Sequence, residues 1–369
     1  MSMISFIFFG LVAVVFILLI TVNKIFKDDR KAIKVANAIL LVASYAFVIY
    51  ADWKFAAVLA VLTLSTWFFA KKKSTGKYGI VVAVLALAFF KYTNFFIESF
   101  DKIFGIDYTA LNIILPLGIS FYTFSAISYI VDVSRNKIEP KNLSQVALYL
   151  AFFPKITSGP IQRSEDFFDQ IEKKRNVGWN TFAPGIQIFV FGLFKKIVLA
   201  DRLSVFVNQV YDTPLAFGSL TVLLATVAYS LQIYFDFSGY SDMAIGVSKI
   251  LGIDLPRNFN LPYLAHNVTE LWKRWHITLS SWLQDYIYIS LGGNRKGKIR
   301  TYINLILTMV IGGIWHGANW TYIVWGLLHG IALAVHKVWM TLTGSSSKKH
   351  STAANIVSIC LTFLFTTFC

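Results

Sequence analysis

The chain is short of charge. Only 14% of its 369 residues are Asp, Glu, Lys or Arg, against about one quarter in a soluble domain, and this excludes an ordinary water-facing globular surface. Cysteine is scarcer still. Cys360 and Cys369 are the only two, both in the last ten residues, and two such thiols make neither a disulfide framework nor a metal cluster. The sequence contains no HExxH, no GxSxG elbow, no glycine-rich phosphate loop and no cysteine near a histidine. Zincin, serine-hydrolase, phosphate-loop and thiol-nucleophile chemistry are thereby set aside. Met1–Ser5 carries no basic residue and no small-x-small cleavage pattern follows the first apolar run, so that run reads as a retained helix rather than a signal peptide. No internal repeat or low-complexity tract stands out, and Gly344–Ser351, GSSSKKHS, is the one linker-like loop.

What is present is apolar. Hydrophobic residues make up 56% of the chain and the mean hydropathy is +0.61. Apolar runs recur that are long enough to cross a hydrocarbon core ~30 Å thick at 1.5 Å per residue. The spacing predicts membrane helices over Ile4–Val22, Ala36–Ala51, Phe55–Ala70, Tyr78–Ile97, Ala110–Val133, Thr181–Ala200, Ser219–Phe237, Thr301–Ile314, Ala318–Val338 and Ala353–Phe368, with a shorter dip at Ala147–Pro154. The expected fold class is all-α, a polytopic helical membrane protein with about ten to twelve membrane-embedded segments. The net charge of +15 follows the same topology. Basic clusters at Lys24–Lys34, Lys71–Lys77 and Arg135–Lys141 alternate with near-neutral loops around Asp52 and Glu98–Asp107, as the positive-inside rule requires with the N-terminus outside. These positives belong at a lipid headgroup surface, and no nucleic-acid-binding module is visible.

Three regions follow from this distribution: apolar scaffold helices over 1–110, a core richer in polar residues over 111–342, and a loop with a last apolar segment over 343–369. That last segment, LTFLFTTFC, stops with no polar flank, so either the protein ends inside the membrane or the chain is shortened. In the core, Leu115–Tyr122 (LPLGISFY) places Pro and Gly inside an apolar run, predicting a bent or tightly packed helix. Phe152–Arg163 (FFPKITSGPIQR) holds two prolines and a glycine, and such irregular backbone survives at membrane depth only when buried in protein or lining a cavity. Asp236 and Asp242 lie among aromatics, where carboxylates are expected to find Arg or Lys partners. Residues 264–291 show apolar side chains at helical spacing opposite Asn267, Glu270, Lys273, Arg274, Ser280, Ser281 and Asp285. This stretch predicts an amphipathic helix, either lying on the membrane surface or lining a water-accessible cavity with its polar face. Glu270 and Arg274 stand at i, i+4 and are expected to pair. The loop GGNRKGK (292–298) suits contact with phosphate groups through Asn294 and Arg295, and equally an ordinary cytoplasmic loop.

One residue has no bland place in this scheme. His316 sits in GGIWHGANW, between two tryptophans and among Gly312, Gly313 and Gly317. Three readings are open: a neutral core imidazole, a metal ligand, or a general base kept neutral by desolvation. The ligand reading lacks support, because His266, His276, His329 and His336 offer no tight ligand spacing.

Six blocks taken in order carry a resemblance: LPLGISFYTFSAISYIVDVSR (115–135), FFPKITSGPIQR (152–163), GLFKKIVLADRL (192–203), YSLQIYFDFSGYSDMAIG (229–246), NFNLPYLAHNVTELWKRWHITLSSWLQDYIYISLGGNR (258–295) and IGGIWHGANWTYIVWGLLHG (311–330). Together they resemble the membrane-bound O-acyltransferases, in particular the bacterial alginate O-acetyltransferase branch. The resemblance implies a helical bundle around a funnel or tunnel in which donor and acceptor meet from opposite membrane faces. It implies His316 as the catalytic residue of the WHG motif and His276, in RWHITLS, as a second signature histidine. Trp275, Asp285, Asn294, Arg295 and Trp315 are the associated substrate-binding candidates, with Asp285 expected to pair with Arg274 or Arg295 and no metal implied. His329, thirteen residues beyond His316, is expected to be structural. The implied donor is acetyl-CoA or a related acyl thioester, with no bound cofactor. The implied acceptor is an extracytoplasmic exopolysaccharide, reached with a partner bearing an SGNH-type transferase domain at the bacterial cytoplasmic membrane. The chain departs from the family in reading Gln284 before Asp285 where the motif usually has LRDY, which removes a basic residue near the site. Two other functions fit the buried polar residues and interrupted helices: a transporter or flippase for a lipid-linked glycan, and an inactive shortened scaffold for a partner transferase.

Overall fold

A computed structural model describes residues 3–105, 111–344 and 351–369. Asp107 and Ala110 of the expected segments lie outside the described residues, as does the linker-like loop Gly344–Ser351 apart from its two ends. All regular structure among the described residues is helical. Among the described residues, seven helices are long and apolar enough to cross a membrane, and Ile119–Ser134 and Thr352–Phe368 are shorter apolar helices. Large apolar side chains stand exposed on their outer faces, including Phe6, Trp53, Val61, Phe68 and Leu85, as lipid contact requires. The chain is a multi-pass membrane protein.

The residues divide into two units, 1–194 with 239–256, and 195–238 with 257–369. In the first unit, α1 (Phe6–Ile25), α2 (Asp29–Ala51), α3 (Trp53–Ala70) and α4 (Gly76–Phe104) are followed by α5 (Ile119–Ser134), α6 (Leu143–Ala151), α7 (Ser164–Ile171) and α8 (Trp179–Phe194). Ser5, Asp28 and Asp52 each cap a helix by accepting from a backbone N–H of its first turn, as short polar side chains at these positions do. The core centres on α6, whose residues Val146–Ala151 are all buried and which packs against α2 and α3. Around it the rings of Phe8, Phe47 and Phe153 meet pairwise at 6.0–6.1 Å.

Phe152–Arg163 is non-helical and mostly buried in protein. Two hydrogen bonds tie it down: the Phe153 N–H donates to Ser44 Oγ at 3.2 Å, and the Tyr149 hydroxyl donates to the Gln162 carbonyl at 2.8 Å. Lys155 is buried within it, its Nζ 4.2 Å from the Tyr149 ring centre and 4.5 Å from that of Phe167. Burial pushes this amine well below the ordinary lysine range, and the two ring faces are what stabilise its charged form. The segment expected as a helix from residue 110 is corrected: residues 111–116 are non-helical and α5 begins only at Ile119. The reason is Gly118. It turns the chain at φ +74°, and a Cβ there would strike the Ile156 carbonyl oxygen, so the helix starts after this close approach rather than bending through it.

The second unit holds a π-helical turn at Lys195–Ala200, α9 (Asp201–Asp212) and the first part of α10 (Ser219–Ile250). After the loop from Arg257 come α11 (Val268–Arg274), α12 (Ile277–Trp282), a second π turn (Leu283–Tyr288), α13 (Lys298–His316), α14 (Trp320–Thr343) and α15 (Thr352–Phe368). Asp236 finds the expected basic partner. Lys196 reaches it at 2.5 Å and Asp201 at 2.8 Å.

Candidate active site

The site grows from a helical hairpin. Helices α13 and α14 are antiparallel neighbours packed backbone to backbone, because their facing positions are glycines. A Cβ on Gly326 would lie 2.5 Å from the Met309 carbonyl oxygen, one on Gly330 would lie 2.8 Å from the Ile306 Cα, and one on Gly313 would strike the Tyr322 carbonyl. Such close approach is how helices associate where lipid supplies no hydrophobic drive. His316 is the last residue of α13. Gly317 is extended and leaves no room for a side chain against the Tyr322 ring, and Asn319 restarts the chain by accepting from Thr321 N and Oγ1, both at 3.0 Å. The turn therefore places the imidazole at the mouth of the hairpin.

Beside it is a cavity of about 480 Å³, walled by His316, Thr321, Tyr322, Trp325 and His329 of this hairpin, by Leu271, Trp272 and Trp275, and by residues of α10 and α15. His316 is half-buried, with ring centres 4.9 Å from Trp315, 5.0 Å from Trp325 and 6.4 Å from Tyr322. His329 is 1% exposed. Its ring lies 4.8 Å from Trp325, 5.3 Å from Trp272 and 5.4 Å from Phe365, and neither nitrogen has a hydrogen-bond partner. Hydroxyls complete the wall: Ser230 Oγ donates to Thr367 Oγ1 at 3.1 Å, and Tyr263 donates to the Ser230 carbonyl at 2.8 Å.

Residues 264–291 do not form one helix. The chain breaks at His276, whose backbone is left-handed at φ +42°, ψ +53°, a conformation costing roughly 1–2 kcal/mol for a residue with a Cβ. Asn258 holds the break. Its carbonyl accepts from Ile277 N at 2.8 Å, and its buried side-chain oxygen accepts from Thr278 Oγ1 at 2.9 Å and Thr278 N at 3.3 Å. On the N-terminal side Asn260 N donates to the Arg274 carbonyl at 2.9 Å. Before the break, Arg274 donates to Glu270 at 2.7 and 2.9 Å, the pair expected from the sequence. Burial alone would raise the Glu270 pKa, but donors from His266 and Arg274 outweigh it and lower it. This pair therefore stabilises α11 above the ordinary carboxylate pKa and is lost as pH falls through the lowered one.

His276 itself is 1% exposed, with its ring 4.7 Å from Phe237, 6.3 Å from Trp315 and stacked on Phe259 at 6.4 Å. Burial drives its pKa well below the ordinary histidine value, and the neighbouring His316 lowers it further. The imidazole is held neutral. Of the expected site residues, His316 and Trp275 reach the cavity wall, and His276 and Trp315 are buried and packed ring to ring. Asp285 is half-buried in the second π turn. Asn294 and Arg295 are exposed in the loop before α13, separated from His316 by the length of that helix, about 27 Å. Of the polar face anticipated for 264–291, Lys273, Ser280 and Ser281 line a second cavity of about 430 Å³, together with Thr269, Gln284 and Lys337 of α14, whereas Asn267, Glu270, Arg274 and Asp285 do not. Trp272 walls both cavities. The residues missed from the sequence, Tyr322 and Trp325, form with His329, which was expected to be structural, an i, i+3, i+7 stripe on α14, the one signal that could have found them. Among the described residues no three His, Cys, Asp or Glu side chains converge as a metal site would need.

The chain is thus a multi-pass helical membrane protein with a histidine on the wall of a chamber of about 480 Å³. The comparisons specify it. The model of the MBOAT, membrane-bound O-acyltransferase family matches residues 129–368, and the chain belongs to that family. It is 42% identical over 322 residues to a probable alginate O-acetylase, AlgI, of Azotobacter vinelandii, covering 82% of this chain and 63% of that protein. It is 41% identical over 314 residues to a peptidoglycan O-acetyltransferase of Helicobacter pylori, covering 78% and 59%. A teichoic acid D-alanyltransferase of Bacillus subtilis is 30% identical over 235 residues, covering 61% and 60%. The chain thus spans less than two thirds of the length of these relatives.

Proposed function

We propose that the protein is an O-acyltransferase of the bacterial cytoplasmic membrane, moving an acetyl group from a cytoplasmic thioester such as acetyl-CoA toward an extracytoplasmic polysaccharide. The observation that carries this reading is His316 on the wall of a chamber of about 480 Å³, within the region matched by the family. The names of the alginate and peptidoglycan O-acetylating relatives support an acetyl group and a polysaccharide acceptor. In the proposed step a neutral His316 nitrogen takes the proton of an acceptor hydroxyl as its oxygen attacks the thioester carbonyl. The new C–O bond forms a tetrahedral intermediate, which collapses with cleavage of the C–S bond. The imidazolium then returns its proton to the leaving thiolate, giving an ester and a free thiol with His316 neutral again. The immediate acceptor is the polysaccharide or a hydroxyl of an SGNH-type partner that completes delivery. His276 is a positioning residue acting through Trp315. A transporter for a lipid-linked glycan would need none of this chemistry and would leave no covalent ester.

The test is base-labile acetate on exported polysaccharide, compared in cells with and without the protein. Acetate that requires the protein is expected; acetate unaffected by its loss would sink the reading. For the donor, the basic loop before α13 supplies charge on the side expected to face the cytoplasm. Asn294 and Arg295 are proposed to contact donor phosphates there. Arg295→Glu is expected to raise the KM for acetyl-CoA about tenfold or more while leaving kcat within about twofold. A changed kcat at unchanged KM would remove Arg295 from donor binding.

A further inference from the structure

Two features of the first unit adjoin on α1. One is a small polar pocket around Arg175, walled by Leu19 and Asn23 of α1, Ala32 and Ala36 of α2, and Lys173 and Lys174. Arg175 is only 8% exposed. Its Nη2 donates to Asn37 Oδ1 at 2.8 Å and its carbonyl accepts from Asn23 at 2.7 Å, while Nε and Nη1 have no hydrogen-bond partner. No carboxylate pairs with it among the described residues: the adjacent acid, Asp29, is taken by Lys174 at 2.7 Å. Burial lowers the guanidinium pKa to about 10, so it remains cationic at neutral pH. A buried cation with two unused donors calls for an anionic acceptor. The free space, about 10 Å³, is that of a single oxygen atom or water.

The other feature is a groove of about 230 Å³ lined only by apolar side chains, chiefly Phe9, Val12 and Phe16 of α1, Phe182 and Ile186 of α8, and Ile250. Positions 9, 12, 16, 19 and 23 form one i, i+3/i+4 stripe on α1. Groove and pocket thus follow one another along α1, with Phe16 and Asn23 about 10 Å apart along the axis. Beyond the pocket stand Lys24 and Lys27. Trp179, 74% exposed and 5.7 Å from Phe182, marks the same end of α8 as interfacial. Apolar groove, buried cation, then solvated lysines is the order of acyl chain, phosphate and water in an anionic leaflet.

We propose that this groove and pocket form a binding site for one anionic glycerophospholipid, its phosphate oxygen accepting from Arg175 Nε and Nη1 and one acyl chain lying between α1 and α8. The test uses the full chain in detergent, delipidated and supplied with phosphatidylglycerol, phosphatidylcholine, dioleoylglycerol or inorganic phosphate, with retained adducts read by native mass spectrometry and the thermal midpoint recorded alongside. Phosphatidylglycerol is expected to bind and raise the midpoint. Arg175→Gln is expected to weaken that binding about tenfold or more, the range for losing hydrogen bonds to a charged group, with Arg175→Lys intermediate. Should Arg175→Gln fail to fold, Ala13→Trp decides: it fills the groove from an exposed position, leaves Arg175 intact and is expected to abolish retention of the lipid. Equal binding of phosphatidylcholine or dioleoylglycerol would overturn the reading of headgroup charge. Inorganic phosphate matching phosphatidylglycerol, with Ala13→Trp without effect, would show an ion site and overturn the lipid.

Discussion

His316→Ala is expected to lower acyl transfer by a factor of 10²–10⁴, the range that a positioned general base contributes, while the protein stays folded in the membrane. The structural half of this expectation rests on where the residue sits. His316 is half-buried at the C-terminus of α13, and the hairpin there is held by elements the substitution does not touch. These are the glycine contacts of Gly313 and Gly326 and the cap that Asn319 offers Thr321. Truncation removes ring contacts with Trp315 and Trp325 from a position open to the cavity, so the space left is continuous with one that already exists. The chemical half rests on the imidazole being the titratable group at that wall nearest the WHG turn. His329, on the same wall, is 1% exposed and packed among Trp272, Trp325 and Phe365, the setting of a packing residue. The loss should fall on kcat rather than on KM, since proton abstraction contributes only in the transition state. The measurement is transfer from acetyl-CoA by purified variant and parent, with the thermal midpoint of each. Parental transfer by a folded His316→Ala protein would leave His316 as a packing residue.

The class of fold was legible because lipid imposes it. Every backbone polar group must be satisfied inside its own segment, so long apolar runs can only be helices, and the spans over Phe6–Ile25 and Trp320–Thr343 follow from composition alone. Pair spacing along one helix was equally legible, as Glu270 with Arg274 shows. What the sequence concealed depends on contacts between distant residues. Helical periodicity runs unbroken through Trp272, Trp275 and Leu279, yet the chain turns left-handed at His276 because Asn258, eighteen positions earlier, captures the backbone beyond it. The wall of the cavity was concealed for the same reason. Tyr322, Trp325 and His329 look like any aromatic stripe until Trp272 and the end of α15 are brought against them. The helix start at Ile119 likewise depends on the carbonyl of Ile156 rather than on the Pro and Gly nearby alone.

Asn258→Ala carries the second large expected effect, and it tests whether the break at His276 is imposed from outside. The substitution leaves the bond from Ile277 N to the backbone carbonyl intact but strips the acceptor from Thr278 N and Oγ1. Asn258 and Thr278 are both buried, at 1% and 4% exposure, so water cannot replace the lost acceptor without opening the core. Removing a buried hydrogen-bond acceptor of this kind costs about 1–3 kcal/mol, at the upper end of what single substitutions commonly do. The left-handed turn would then lose its clamp, and relaxing φ at His276 would rotate Trp275 out of its packing against Phe259 and Tyr263, displacing one wall of the cavity. Transfer is expected to fall about tenfold or more even under conditions where the variant remains folded. Thr278→Ser keeps both donors and should behave nearly as the parent. His276→Asn separates conformation from chemistry, because asparagine tolerates left-handed backbone: its thermal midpoint should lie far closer to the parent than that of Asn258→Ala. If Asn258→Ala matched the parent in both midpoint and transfer, the conformation of His276 would be intrinsic to residues 264–291, and the clamp would have no part in shaping the site.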